Sequence, residues 1–171
     1  MNYIFSAIFL YFFLGFLLYI FQRRIVFNKS GHPGAPKDYN LDNTEEVYIK
    51  TEDNLKLLSW YHKGNNLLPL IVYFHGNSFH IGDRAYRIQR YIEKNWSVLL
   101  VSWRGFGGNE GNPTEKNLYK DAEAVLKWIK NNTEFKFKEL VIYGESLGSG
   151  AAVEMGTKYK FLSIVLEAPF T

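Results

Sequence analysis

Hydrophobic side chains dominate the start of this chain without interruption. Residues Met1 to Phe21 carry no charged side chain and consist mainly of Phe, Leu, Ile and Tyr. A helix of this length spans about 30 Å, which is the thickness of the hydrocarbon core of a bilayer. We predict a single transmembrane helix over residues 1–22. A cleaved signal peptide is the alternative, but no basic residues precede the apolar run and no small-residue cleavage site follows it.

The pattern then changes to a polar connecting segment. Residues 28–43 are rich in Gly, Pro, Asn and Asp, and we predict a linker over residues 23–44. Arg23, Arg24 and Lys29 directly follow the apolar helix. Because basic residues next to a membrane helix favour the cytoplasmic side, we expect the following domain to be cytoplasmic.

From residue 45 onward, short apolar runs alternate with amphipathic segments. Two β-rich runs around Asp53 and Asn54 predict a hairpin. Apolar runs at residues 70–74, 98–101, 140–143 and 164–166 predict buried strands, and helical spacing appears between them. Strands that are apolar on both faces and separated by helices predict an α/β fold. We therefore expect a mostly parallel sheet with helices on both faces, forming one domain over residues 45–171.

One helix start is marked by its capping residues. Asn112, Pro113 and Glu115 stand where an N-cap, a first-turn proline and a capping-box carboxylate are expected. We predict that this helix buries the stripe formed by Leu118, Ala122, Val125, Leu126 and Ile129.

Composition narrows the range of functions. The formal net charge is only +3 and no long run of Lys or Arg is present, so nucleic acid is not an expected partner. The absence of cysteine excludes thiolate nucleophiles and Cys-ligated zinc. We expect no metal and no cofactor.

A Gly-x-Ser-x-Gly motif follows the apolar run at residues 140–143. Gly144, Ser146 and Gly148 occupy its fixed positions, and small residues with helical character come next. The order strand, sharp turn, helix is the context of a nucleophile elbow, a tight turn that exposes a reactive serine hydroxyl. We predict that Ser146 is the nucleophile and that Gly144 and Gly148 allow the strand and the helix to approach closely.

Two nucleotide-binding alternatives fit less well. Residues 105–110 resemble a dinucleotide loop, but Glu110 stands where Gly or Ala is required. The segment around Ser146 lacks the Gly-Lys-Ser/Thr ending of a phosphate-binding P-loop.

Four stretches together resemble a known family. They are residues 75–84 (His-Gly-Asn, then Ile-Gly-Asp-Arg), 104–115 (Arg-Gly-Phe-Gly-Gly-Asn-Glu-Gly-Asn-Pro-Thr-Glu), 144–150 (Gly-Glu-Ser-Leu-Gly-Ser-Gly) and 166–171 (Leu-Glu-Ala-Pro-Phe-Thr). The chain resembles the membrane-anchored, abhydrolase-domain branch of the α/β-hydrolase superfamily, which includes lysophospholipase-like and depalmitoylase-like serine hydrolases. This resemblance implies hydrolysis of carboxylic esters or thioesters, with lipid-like acyl substrates.

The resemblance also assigns roles to individual residues. It implies that Ser146 attacks the acyl carbonyl and that the backbone N–H groups of Asn77 and Leu147 form the oxyanion hole. His75 is structural in this family. For Arg104 and the following Gly105 we expect turn formation.

The chain departs from the family in its triad. The acid and the histidine follow the serine in this fold, but residues 147–171 contain no Asp and no His, only Glu154 and Glu167 as carboxylates. All four histidines precede Ser146. A role for His80 as base would invert the usual order.

We therefore expect only the N-terminal half to two-thirds of a hydrolase domain, truncated after the sixth strand and inactive by itself, with residues 164–166 at an apolar edge. Two hypotheses remain open. The chain belongs to a membrane-anchored serine hydrolase, or it is a catalytically inactive remnant or membrane-anchored interaction protein.

Overall fold

The computed structural model describes residues 2–29 and 31–170, with only the backbone for residues 2, 23, 24, 26, 28 and 29. The first element, α1, is a helix over Asn2–Val26. Within the described residues, it is the one helix that is long and apolar enough to cross a membrane. The side chains of Arg23, Arg24 and Lys29, on which the predicted orientation rests, lie outside the described part of the chain.

The rest of the chain forms an α/β structure in which five strands come first and helices alternate with strands from α2 onward. The remaining strands and helices, in chain order, are β1 (Asn28–Lys29), β2 (Thr44–Lys50), β3 (Lys56–His62), β4 (Leu70–Phe74), β5 (Ser78–Phe79), α2 (Ala85–Ile92), β6 (Ser97–Val101), α3 (Glu115–Asn132), β7 (Leu140–Glu145), α4 (Leu147–Lys158) and β8 (Ser163–Glu167).

Six of these strands form one mixed sheet in the order β2-β3-β6-β4-β7-β8. The first two pairings are antiparallel and the other three are parallel. The two short strands β1 and β5 form a separate parallel pair. This arrangement confirms the predicted α/β fold with a mostly parallel sheet.

Both faces of the sheet are covered by buried apolar side chains, as expected for strands that are apolar on both sides. One cluster joins the sheet to α3 and α4 and contains Val72, Phe74, Leu126 and Met155. The other cluster lies under α2 and contains Tyr73, Ile81, Ile88 and Leu100. All five residues of β4 and all five of β6 are buried, so these central strands fix the position of the loops that follow them.

The predicted cap of α3 is wrong. Thr114, and not Asn112, is the N-cap residue, because its backbone is extended and its hydroxyl oxygen accepts the N–H of Asn117 at 3.2 Å. The helix begins at Glu115, so Pro113 precedes the helix instead of occupying its first turn. The Thr114 hydroxyl oxygen thereby satisfies one of the free N–H donors in the first turn of α3.

Strand β8 forms the edge of the sheet within the described residues. Its residues Ile164, Val165 and Leu166 are 38–40% exposed, although they are apolar and point to both faces. The predicted apolar edge at residues 164–166 is thus present in the structure.

Candidate active site

Ser146 lies at a sharp turn between β7 and α4. Its backbone angles are φ 47° and ψ −109°, and this combination of a positive φ with a negative ψ is one that non-glycine residues rarely adopt. Such a conformation costs about 1–3 kcal/mol and persists only where the surroundings enforce it. Here the Ser146 N–H donates to the carbonyl oxygen of Glu167 at 2.9 Å, and the Ser146 carbonyl accepts the N–H of Ser149 at 2.9 Å.

Two glycines allow this turn to be tight. A Cβ atom on Gly144 would lie 2.7 Å from the carbonyl oxygen of Gly148. A Cβ atom on Gly148 would lie 2.6 Å from the carbonyl carbon of Phe74 and would overlap its oxygen. Because these obstacles are backbone atoms, the start of α4 approaches β4 and β7 this closely only with glycine at both positions.

The loop that follows β4 (residues 75–79) lies beside this turn, and we call it the oxyanion loop after the role predicted for Asn77. Strands β4 and β7 pair in parallel, with Phe74 opposite Gly144, so the residues after each strand emerge at the same edge of the sheet. A Cβ atom on Gly76 would lie 3.1 Å from a carboxylate oxygen of Glu145. The loop therefore runs directly alongside the residue that precedes Ser146.

The two predicted oxyanion donors belong to these two segments. Asn77 lies in the oxyanion loop, and Leu147 is the first residue of α4. The first N–H groups of a helix have no partner inside the helix and carry its positive dipole end, so the start of α4 favours a negative charge.

A buried arginine joins the oxyanion loop to the turn. Arg84 donates to both carboxylate oxygens of Glu145, at 2.8 Å and 3.2 Å, and to the carbonyl oxygen of Ser78 at 2.8 Å. Tyr73 donates its hydroxyl to Glu145 at 2.9 Å. Burial raises the pKa of the Glu145 carboxyl, but the hydrogen bonds and charge of Arg84 outweigh burial, and the pKa lies below its usual value. Glu145 is therefore ionised at neutral pH.

A second ion pair supports the turn from β8. Arg87 donates to both carboxylate oxygens of Glu167, at 2.6 Å and 2.8 Å, and Tyr143 donates its hydroxyl at 2.7 Å. The hydrogen bond from Arg87 lowers the pKa of the Glu167 carboxyl. Since the Glu167 carbonyl accepts the Ser146 N–H, this pair helps to hold the serine backbone.

His75 lies at the base of the oxyanion loop and is fully buried. Its Nδ1 is 2.6 Å from the carbonyl oxygen of Gly76, and its own carbonyl accepts the indole N–H of Trp103 at 2.9 Å. Burial, helped by the positive charge of Arg84, lowers the pKa of His75 to about 4. A neutral ring at pH 7 suits the hydrogen bonds that it makes within the loop.

Arg104 does more than form a turn. The turn exists, with Gly105 in the left-handed region at φ 77°. The Arg104 side chain, however, is only 2% exposed and forms ion pairs with Asp121 at 2.6 Å and with Asp53 at 2.7 Å. This arginine ties the loop after β6 to α3 and to the β2–β3 hairpin, a role that the turn interpretation missed.

The other acidic and histidine residues considered from the sequence have local partners. The His80 ring lies 3.1 Å from the Asp83 carboxylate. Glu154 lies 3.1 Å from Lys158 along α4.

Sequence reasoning gave no role to Arg84 or Arg87. Both precede their carboxylate partners by more than 60 residues, so only the fold brings them together. The sequence did contain one signal, the glutamate inside the Gly-x-Ser-x-Gly motif, because a half-buried carboxylate requires a cationic partner.

Comparison with known proteins identifies the family. Residues 66–171 match the model of the serine aminopeptidase S33 family of hydrolases. The chain belongs to this α/β-hydrolase family. This membership confirms the resemblance noted from the sequence motifs.

Individual proteins and solved structures are also similar to this chain. An uncharacterized protein of Mycobacterium tuberculosis is 31% identical over 164 residues, which cover 92% of this chain and 57% of the relative. The lysophosphatidylserine lipase ABHD12 of Danio rerio is 29% identical over 167 residues, covering 80% of this chain and 42% of the relative. The crystal structure of a Pyrococcus furiosus esterase, Pf2001, superposes with a TM-score of 0.70 at 26% identity, covering 83% of this chain and 58% of the esterase. The chain thus spans about half the length of the curated relatives it matches.

Proposed function

We propose that this chain provides the nucleophile and the oxyanion hole of a membrane-anchored serine hydrolase that acts on carboxylic esters or thioesters. The observation that carries the proposal is the positive φ of Ser146 at the junction of β7 and α4. Strained backbone of this kind concentrates at functional sites, and the strand-turn-helix context is that of a nucleophile elbow.

In the proposed reaction, the Ser146 hydroxyl attacks the acyl carbonyl carbon and transfers its proton to a base. The carbonyl oxygen becomes negatively charged and accepts hydrogen bonds from the N–H groups of Asn77 and Leu147. One such donor is worth about 3–4 kcal/mol in comparable enzymes. Collapse of this intermediate expels the protonated alcohol or thiol, and water then hydrolyses the acyl-serine by the same steps.

The base and its supporting acid are proposed to come from outside residues 147–171. In this fold both follow the serine, and residues 147–171 contain neither Asp nor His. The matched region covers only 57% of one curated relative and 42% of another, which supports a further segment in the active protein. We expect the 171 residues alone to show no turnover above background.

The proposed substrates are lipid-like acyl compounds. A relative named as a lysophosphatidylserine lipase and a structural neighbour named as an esterase support ester chemistry. The apolar helix α1 supports a location at a membrane. We propose one membrane span over residues 1–22, a connecting segment over residues 23–44 and a hydrolase domain from residue 45, on the cytoplasmic side.

A catalytically inactive remnant or membrane-anchored interaction protein is the alternative function. The lack of Asp and His after Ser146 in residues 147–171 favours it. Loss of triad members lowers turnover by up to about a millionfold, so the two functions differ by a large factor.

Ester hydrolysis by the protein from its native membranes distinguishes them. An affinity tag allows purification of whatever length the cell produces, and acyl p-nitrophenyl esters and acyl thioesters serve as substrates. We expect turnover that Ser146→Ala lowers by about 10⁵-fold or more. Equal rates for wild type and Ser146→Ala would reject Ser146 as the nucleophile.

A further inference from the structure

The segment after α1 is fixed to the oxyanion loop. Phe27, the first residue beyond the helix, packs edge-on against Phe106 with ring centroids 6.3 Å apart, and Phe106 packs in the same way against His75 at 5.5 Å. Strand β1 then pairs in parallel with β5, which places it opposite Ser78 and Phe79. The helix is therefore connected to the oxyanion loop through one intervening residue and a strand pairing.

Further contacts hold the rest of this segment, which we call the strap (residues 27–29 and 31–41). Pro33 and Leu41 are buried. The Tyr39 hydroxyl donates to the carbonyl oxygen of Pro33 at 2.6 Å, and its ring packs on Trp60 at 5.4 Å. A Cβ atom on Gly82 would overlap the Tyr39 ring. The strap is packed against the domain, so α1 and the oxyanion loop keep a fixed separation.

That separation is short compared with the thickness of a bilayer. At 1.5 Å per residue, the 25 residues of α1 span about 37 Å, which exceeds the 30 Å hydrocarbon core and brings its end among the lipid headgroups. Three extended residues reach at most about 10 Å, and the strand spacing adds about 5 Å. Phe79 therefore lies within about 15 Å of the end of α1.

Phe79 has the properties of a residue that contacts lipid. Its side chain is 53% exposed, although it is a large apolar group. Its backbone is left-handed at φ 62°, a conformation that a bulky residue rarely adopts. Exposed aromatic side chains at the boundary between headgroups and acyl chains gain burial without loss of hydration of polar groups.

We propose that the surface around Phe79, which the pairing of β5 with β1 holds next to the end of α1, contacts the lipid bilayer, with Phe79 at the boundary between headgroups and acyl chains. This surface deepens the proposed function and rests on α1 as a membrane helix. It places the oxyanion loop at the depth where the ester carbonyls of membrane lipids lie. A lipid substrate then reaches Ser146 without leaving the membrane.

The natural absence of cysteine allows a direct test. In the full chain, Phe79→Cys introduces the only thiol, which is labelled with an environment-sensitive fluorophore and reconstituted into phosphatidylcholine vesicles. The matched control is Leu67→Cys, at a residue that is 88% exposed in the turn before β4. Since β4 separates the two positions by about 17 Å, the control lies at the opposite edge of the sheet. Circular dichroism checks that both variants are folded.

Lipids that carry a nitroxide on the headgroup report the depth of the label. We expect several-fold stronger quenching at position 79 than at position 67. A flexible Gly-Ser insertion between Val26 and Phe27 is expected to reduce quenching at position 79 to the control level, because the strap then no longer sets the separation. Equal quenching at positions 79 and 67, failure of the chain to float with vesicles, or unchanged quenching after the insertion would overturn the proposal.

The measurement does not depend on catalysis. Quenching at position 79 is expected to be the same in a Ser146→Ala background. Strong quenching together with no ester hydrolysis would reject the hydrolase and leave the membrane-contact surface in place. Ester hydrolysis without quenching at position 79 would reject the membrane-contact surface and leave the proposed hydrolase in place.

Discussion

The close approach of α4 to β4 predicts that one glycine in this helix tolerates no side chain. In Gly148→Ala, the new Cβ would lie 2.6 Å from the carbonyl carbon of Phe74 and 2.9 Å from its Cβ, with the carbonyl oxygen closer still. Carbon atoms in contact prefer about 3.5–4.0 Å, so the start of α4 would have to withdraw by about 1 Å. Overpacking of this kind costs about 1–3 kcal/mol.

Gly156→Ala is the matched control in the same helix. Its Cβ would overlap Cδ1 of Ile164 and lie 3.9 Å from Cγ1, and the Cδ1 atom is the flexible end of a partly exposed side chain, which can turn away. Alanine is favoured over glycine inside a helix by about 0.8–1 kcal/mol, so this variant is expected to be as stable as the wild type or more stable.

Thermal unfolding of the full chain in detergent micelles, followed by circular dichroism, compares the two variants. At about 2–4 °C per kcal/mol for a chain of this size, Gly148→Ala is expected to lower the Tm by about 2–12 °C. Gly156→Ala is expected to leave the Tm unchanged or to raise it by a few degrees. A Gly148→Ala variant as stable as Gly156→Ala would refute the tight packing of helix and strand that the turn at Ser146 requires.

Three other variants or conditions test the surroundings of the site. Arg104→Met leaves the buried Asp121 carboxylate without its partner and is expected to cost about 3–5 kcal/mol in urea unfolding, with most of it recovered in the double variant with Asp121→Leu. Arg84→Gln is expected to speed hydrogen–deuterium exchange in the peptide that covers residues 75–79, and Arg84→Lys is expected to have a smaller effect. Unchanged exchange in both variants would contradict the link that Arg84 forms between the oxyanion loop and the turn at Ser146. Burial lowers the pKa of His75 to about 4, so the unfolded state binds more protons than the folded state between pH 6.5 and 4. As the pH falls through this range, His75 is therefore expected to lower the free energy of unfolding by up to about 3 kcal/mol. His75→Gln should show a weaker decline in the urea midpoint over the same range, and an identical decline would assign the effect to other groups.

The fold was predictable because its local signals agree. The runs at residues 70–74 and 98–101 are apolar on both faces, and they form the central strands β4 and β6. The Gly-x-Ser-x-Gly motif directly follows an apolar run, and the structure has the predicted order of strand, turn and helix there. Patterns of this kind depend only on residues that are close together in the sequence, so they can be recognised without the structure.

The contacts that surround the site were not predictable in the same way. The pairing of Arg84 with Glu145 and the burial of Arg104 against Asp121 depend on how distant segments meet. The packing of Phe27 on Phe106 could not be predicted either. The segment that follows Phe27 is rich in Gly and Pro, and such a composition is typical both of a free linker and of a packed irregular segment. The cap of α3 was misplaced by two residues for a smaller reason, since Asn112 and Thr114 are both good N-cap residues.

Covalent labelling of Ser146 tests the proposed nucleophile most directly. Native membranes that contain the protein are treated with a fluorophosphonate probe, and its tryptic peptides are analysed by mass spectrometry. We expect the label on the Ser146 hydroxyl, no label in Ser146→Ala, and no label above background on the recombinant 171-residue chain alone. Detection of the protein by its other peptides with Ser146 unlabelled, or a label that persists in Ser146→Ala, would contradict the assignment of Ser146 as a hydrolase nucleophile.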